Sequence, residues 1–187
     1  MPHIKYLNNF IDKTIDNLEN FRKSGVKSEF SFNLESSDLE DYNSIDIRKS
    51  PKFEELFKEL QNINGPVLYW IEIVSDIQNN LVIDSLQKYK ETKNPKATPA
   101  IKKGINYNTK VLYVGKVKGI FWGRVIQHMG YFKNTQTQGL QLYYWTTHLP
   151  LILQFHVLEF ELEMANLMSV IEYAFAQELK PLIGKHK

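Results

Sequence analysis

An α+β domain is predicted by three runs rich in β-branched and aromatic residues, set between segments whose apolar residues recur at helical spacing. The runs are residues 67–74 (VLYWIEIV), 111–115 (VLYVG) and 151–162 (LILQFHVLEFEL). They define a small three-stranded sheet flanked by helices, preceded by a helical extension over residues 1–64. With 43% hydrophobic and 13% aromatic residues, the 187-residue chain can bury a real core and is not a disordered protein.

The extension begins with Ile4, Leu7, Ile11, Ile15, Leu18 and Phe21, three or four residues apart, so one helix face is apolar until Gly25 stops it. Residues 28–50 are acidic and serine-rich, which suggests either an irregular connection or a short strand over 29–34. Ser50 and Pro51 resemble an N-cap and first helical residue, ahead of Phe53, Leu56, Phe57 and Leu60 on one face. Asn64-Gly65-Pro66 ends that helix. Residues 75–109 form a polar insertion broken by Pro95, Pro99 and Gly104, and residues 86–106 are expected to be more mobile than the sheet. Further helices are predicted over 121–131 and 164–179, the last stopped by Pro181 and Gly184.

Zero cysteines exclude disulfides, zinc thiolate sites and thiol nucleophiles and fit a reducing compartment. No signal-peptide pattern opens the chain, and no apolar run approaches the roughly 18 residues of a membrane span, so a cytoplasmic protein with no membrane partner is expected. The net charge of +2 hides a separation along the chain. Residues 28–60 hold nine acids against four Lys/Arg, whereas residues 86–133 hold eleven Lys/Arg against Glu91 alone. That block is either a solvated lysine-rich loop or a footprint for phosphate backbones, with Lys102, Lys103, Lys110 and Lys118 as candidate DNA contacts.

Glu172 lies at the edge of an apolar stripe with Ile171 and Phe175 beside it. A carboxylate there needs a partner, either a salt bridge, the commoner outcome, or a hard cation held by oxygen ligands. Arg124 and His128, four apart on one helix, can face one phosphate or can be a surface cation and an exposed imidazole. Tyr69 and Tyr113 are either sheet-packing residues or phenols able to position an attacking water, with Lys116 directly after the second tyrosine's strand motif.

Together these residues resemble the GIY-YIG nuclease family, whose marks occur in order over residues 65–187: Val67-Leu68-Tyr69, Tyr113-Val114-Gly115, Arg124, His128 and Glu172. The stretch YVGKVKGIFWGRVIQH is most similar to the nuclease module of bacterial excision-repair enzymes. The resemblance implies an antiparallel sheet with residues 75–109 looped out. It implies a metal-dependent DNA endonuclease, of restriction or repair type, and a possible homodimer. Glu172 would be the ligand of one Mg2+ or Mn2+ ion, Tyr113 the leading candidate to activate the attacking water, with Tyr69, Lys116 and His128 holding or relaying its proton, and Arg124 would steady the developing phosphorane charge. Tyr69, Tyr113, Arg124, His128 and Glu172 should then meet on one concave surface at the end of the sheet, and the nuclease reading fails if Glu172 stands on the opposite side of the sheet from Tyr113. Gly184, where many members carry asparagine, and a first tripeptide reduced to its tyrosine favour the alternative, a catalytically inactive nucleic-acid- or protein-binding module on the same fold.

Overall fold

A computed structural model describes residues 2–40, 46–133 and 136–185. Its centre is a four-stranded antiparallel sheet of order β1-β4-β2-β3, made of β1 (Ser28–Glu35), β2 (Val67–Ile73), β3 (Val111–Val117) and β4 (Ile152–Glu159). Around it lie α1 (Pro2–Ser24), α2 (Glu54–Leu60), α3 (Asn79–Lys90), α4 (Phe121–Met129), α5 (Tyr143–Thr146) and α6 (Met168–Leu179). The α+β class is therefore observed, with one strand more than the three expected. Residues 28–35 pair with β4 in full register, Phe32 opposite and stacked on Phe155 at 4.6 Å. They pair because Phe30, Phe32 and Leu34 alternate toward the core, a period-two pattern masked by the intervening polar residues. No helix of the described residues is long and apolar enough to cross a membrane.

The strand period of two separates the sheet into two faces. Val67, Tyr69, Ile71, Phe155 and Val157 face one layer, where α4 contributes Phe121, Val125 and Met129 and residues 34–63 contribute Leu34, Phe57 and Leu60. Leu68, Trp70 and Val114 face the other, where α6 packs Met168, Phe175 and Ala176. The single periodic run expected over 164–179 is split into a 3-10 stretch at Leu162–Asn166 and then α6. The helix expected from Ser50 starts at Glu54 instead, because the Ser50 carbonyl accepts from both Phe53 N and Glu54 N and closes a turn first.

Residues 75–109 do loop out between β2 and β3, but half of the segment is ordered by burial. Val82, Leu86 and Tyr89, at helical spacing on α3, are buried, and Ser85 Oγ donates to the Trp145 carbonyl of α5. Beyond α3, Tyr89 Oη accepts from Lys96 N at 2.8 Å, and Lys96 Nζ donates to the Gly130 and Phe132 carbonyls at 3.0 Å each. Ile101 bridges Ile183, and Gly184 N donates to the Ala100 carbonyl. The expectation of a mobile tract over 86–106 rested on prolines and lysines; these anchors oppose it, since α3 supplies a packed face and the backbone finds partners elsewhere in the fold.

Glu159 closes the sheet at one corner. Its carboxylate, 4% exposed, accepts from Lys27 Nζ (2.8 Å), Ser28 Oγ (2.7 Å), Asn64 N (3.0 Å) and Gly65 N (2.7 Å). Burial pushes its pKa up, but the donors outweigh burial and pull it from 4.5 to about 2. One side chain thereby joins the ends of β4 and β1 to the turn before β2. Glu159→Gln should lower stability at pH 7 by about 3 kcal/mol, the free-energy equivalent of that shift. Because the folded pKa is depressed, this stabilisation is present above pH 4.5 and lost as pH falls toward 2. Urea unfolding of both proteins at pH 7 and pH 3 should show the gap between them narrowing in acid.

Candidate functional site

The site is built from the antiparallel pairing of β2 with β3, which sets Tyr69 directly opposite Gly115 and Ile71 opposite Tyr113. Both tyrosines therefore share one face, their rings 6.1 Å apart. Gly115 is required by contact rather than by backbone conformation. A Cβ there would overlap the Tyr69 hydroxyl and come within 2.5 Å of Tyr69 Cζ and 2.7 Å of Tyr113 Cε1. The Tyr69 phenol fills the space where a side chain at 115 would stand, and so reaches across the edge strand to α4.

Arg124 and His128 receive it there. Tyr69 Oη lies 2.7 Å from His128 Nε2 and accepts from Arg124 Nε at 3.1 Å. Leu140 N donates to His128 Nδ1 at 3.1 Å, which leaves that nitrogen unprotonated and puts the imidazole proton on Nε2, aimed at Tyr69. Arg124 also donates to Tyr113 Oη (3.3 Å), Gln127 Oε1 (2.9 Å) and the Gln138 carbonyl (3.0 Å). Its guanidinium is thus splayed over both phenols, a role for which its planar fork suits it.

Electrostatics follows burial. His128 is fully buried, not the exposed imidazole that the sequence left open, and desolvation, aided by Arg124, drives its pKa well below 6.5. Desolvation pushes the fully buried Tyr69 phenol well above 10, with Tyr113 adding and Arg124 opposing. For Arg124, burial works against the charge, but the two phenols outweigh it and hold the pKa above the ordinary guanidinium value. At neutral pH the cluster is a neutral imidazole, a neutral Tyr69 and a cation.

Lys116 and Glu172 stand elsewhere. Lys116 follows Gly115 and so projects from the opposite face, where its Nζ bonds Glu172 Oε2 at 2.7 Å. Since α6 packs on that face, the expectation of five residues on one concave surface is corrected: Tyr69, Tyr113, Arg124 and His128 converge, while Glu172 is reached across the β3 edge. The physical reason is strand alternation, which sends consecutive residues 115 and 116 to different layers. The two groups still lie close enough for the Glu172 charge to raise the Tyr69 pKa. Of the two readings of Glu172, the salt bridge is present.

Among the described residues no group of three or more His, Cys, Asp or Glu side chains could hold a metal ion. Among the candidate site residues Glu172 is the carboxylate, and its Oε1 takes no hydrogen bond from a described residue. One free carboxylate oxygen fits a magnesium- or manganese-type ion that keeps most of its waters, and does not fit a closed cage. Beside Arg124, a cleft of ≈ 420 Å³ is lined by Lys116, Gly119, Ile120, Gly123, Arg124 and Gln127. Two cations and no acid line it.

The proposed DNA lysines do not form one patch. Lys110 precedes β3 and Lys118 follows it, more than about 20 Å apart along an extended strand. Lys102 and Lys103 lie next to the Ile101–Ile183 bridge, toward the Lys110 end, because Leu182 N bonds the Val111 carbonyl. Only Lys118, with Lys116, is near the cleft. Gln127, Leu140 N and the Gln138 carbonyl escaped sequence reasoning, since two of these are backbone groups and carry no residue-type signal.

No protein-family model matches the chain, and no curated protein or solved structure matches it either. The class defined by fold and site is thus an α+β domain with a buried Tyr–His–Arg cluster under an edge strand.

Gly115→Ala should force Tyr69 out of this cluster, with a loss of about 1–3 kcal/mol, the usual range for overpacking a filled site. Thermal melting checks it, and Gly115→Ala carrying Tyr69→Phe should lose less than the two substitutions separately. His128 gives a pH signature. Its folded pKa is depressed, so the unfolded state binds a proton first and stability falls as pH drops below 6.5, by about 1.4 kcal/mol per pH unit. His128→Gln should flatten that slope in urea titrations between pH 7 and 5.5.

Proposed function

We propose that this chain is a metal-assisted DNA endonuclease of the GIY-YIG type, hydrolysing phosphodiester bonds at the edge of β3. The observation that carries the reading is the Arg124 guanidinium, held by two tyrosines beneath Gly115 and bordering an acid-free cleft with Lys116. Phosphodiester hydrolysis needs an oriented water and a fixed positive charge where the phosphorane develops. Arg124 supplies the charge. Tyr113, at 8% exposure the more accessible phenol, orients the water, while fully buried Tyr69 and His128 position Arg124. The resemblance put Tyr113 first among Tyr69, Tyr113, Lys116 and His128 without separating the four; burial favours Tyr113 over Tyr69 and His128.

Glu172 would hold a Mg2+ or Mn2+ ion through its free oxygen, with Lys116 fixing the other. Such an ion supplies Lewis-acid stabilisation of charge on phosphate oxygens. Because β3 is the edge strand, a phosphodiester lying along it can meet Arg124 from one layer and Glu172 from the other. A restriction-type enzyme is the specific form of the reading and a repair nuclease its neighbour. A second reading, an inactive nucleic-acid- or protein-binding module, is favoured by two observations: Glu172 stands on the α6 layer and reaches the tyrosine cluster only round the β3 edge, and the 2.7 Å Lys116–Glu172 pair engages the carboxylate that the metal requires.

The test is supercoiled plasmid incubated with magnesium, manganese or a chelator. Metal-dependent nicking or linearisation is expected, falling at least ~100-fold in Arg124→Ala, the scale of removing one transition-state donor. Glu172→Gln should also abolish cleavage while leaving metal-free DNA binding near wild type. A Glu172→Gln protein that melts early yet still cuts would remove Glu172 from the site. DNA retention without cleavage in any metal would establish the binding module instead.

A further inference from the structure

The first helix presents an apolar face that the rest of the fold leaves uncovered. From Ile4 to Lys13 every residue of α1 is exposed; Thr14, Asn17 and Phe21 are half-buried. The helix is held at its end, by Phe21 against the Phe160 ring at 5.1 Å and by Asn17 Nδ2 on the Glu163 carbonyl. Yet Ile4, Leu7, Phe10, Ile11, Ile15 and Leu18 remain 43–59% exposed. A lone helix of this length gains little stability in water without packing its apolar face.

We propose that α1 pairs antiparallel with α1 of a second copy of this chain, around a twofold axis at Ile11. The occupant follows from spacing. Ile4, Leu7, Ile11, Ile15 and Leu18 are separated by three, four, four and three residues, a series that reads identically in both directions. An antiparallel copy therefore sets Ile4 against Leu18, Leu7 against Ile15 and Ile11 against itself, as an isologous interface requires. Charge agrees: the seam holds none, and Lys5 on its flank meets the partner helix in the stretch carrying Asp16 and Glu19. The C-terminal attachment of each helix also sends the two bodies to opposite ends. Six side chains about half exposed amount to about 500 Å² per copy, the upper range for one patch on a monomer, and about 1,000 Å² for the pair, the size at which specific interfaces begin.

This inference does not depend on the nuclease reading, because its readouts are mass and cross-linking. Sedimentation equilibrium of the full chain should give a dimer. Ile11→Glu, which sets two carboxylates together on the axis, should weaken it at least ~100-fold while the near-UV circular dichroism of the folded core is retained. Orientation has its own test, clean because the chain has no cysteine. Under mild oxidation Ile11→Cys should cross-link to itself, and Ile4→Cys should cross-link to Leu18→Cys when the two proteins are mixed, but not to itself. A wild-type monomer up to about 100 μM, or a dimer indifferent to Ile11→Glu, would overturn the proposal. Self-linking of Ile4→Cys would overturn the antiparallel arrangement.

Discussion

The candidate site depends on one steric fact, the absence of a side chain at Gly115. Tyr69 sits on the inner strand β2, one strand away from the edge, and its phenol reaches Arg124 and His128 only by lying over Gly115 on β3. That passage buries the hydroxyl completely, and a buried hydroxyl must be hydrogen-bonded. The neutral imidazole and the guanidinium meet that need, and their own positions are fixed in return. His128 is oriented from behind by Leu140 N, and Arg124 by Gln127 and the Gln138 carbonyl. The cluster is a chain of mutual satisfaction in which each polar group is the partner of the next.

The same strand that carries Gly115 divides the chemistry between layers. Lys116 projects to the α6 side and takes Glu172, so cation and carboxylate meet on the face opposite the tyrosines. An inner strand would keep these two groups apart behind paired neighbours. As the last strand of β1-β4-β2-β3, β3 has one free flank along which both layers are accessible. The placement of Lys116 beside Arg124 in the ≈ 420 Å³ cleft follows from that edge position.

Sheet order in turn rests on two long excursions. β2 and β3 are neighbours although residues 74–110 separate them, and α3 turns that excursion into a packed element by burying Val82, Leu86 and Tyr89. β4 lies between β1 and β2, and Glu159 at its end holds both with one carboxylate. In that setting a charge is more useful than an apolar residue, because two backbone amides, a hydroxyl and an ammonium need a common acceptor.

The sequence by itself determined which segments are strands and which are helices wherever one periodicity dominates, as in 67–74, 111–115 and 121–131, which the structure realises as Val67–Ile73, Val111–Val117 and Phe121–Met129. It also named Tyr69, Tyr113, Arg124 and His128, because their residue types and order carry a pattern. Tertiary structure decided the rest. It decided between the irregular connection and the short strand that the sequence left open over 29–34, because pairing with β4 rewards three alternating apolar residues and makes Ser28–Glu35 a fourth strand. It put Glu172 on Lys116 at the β3 edge instead of within the tyrosine cluster, a consequence of which layer α6 occupies. It made His128 a buried neutral base instead of a surface imidazole, because ionisation depends on the surrounding water and charge, and neither is written in the order of residues.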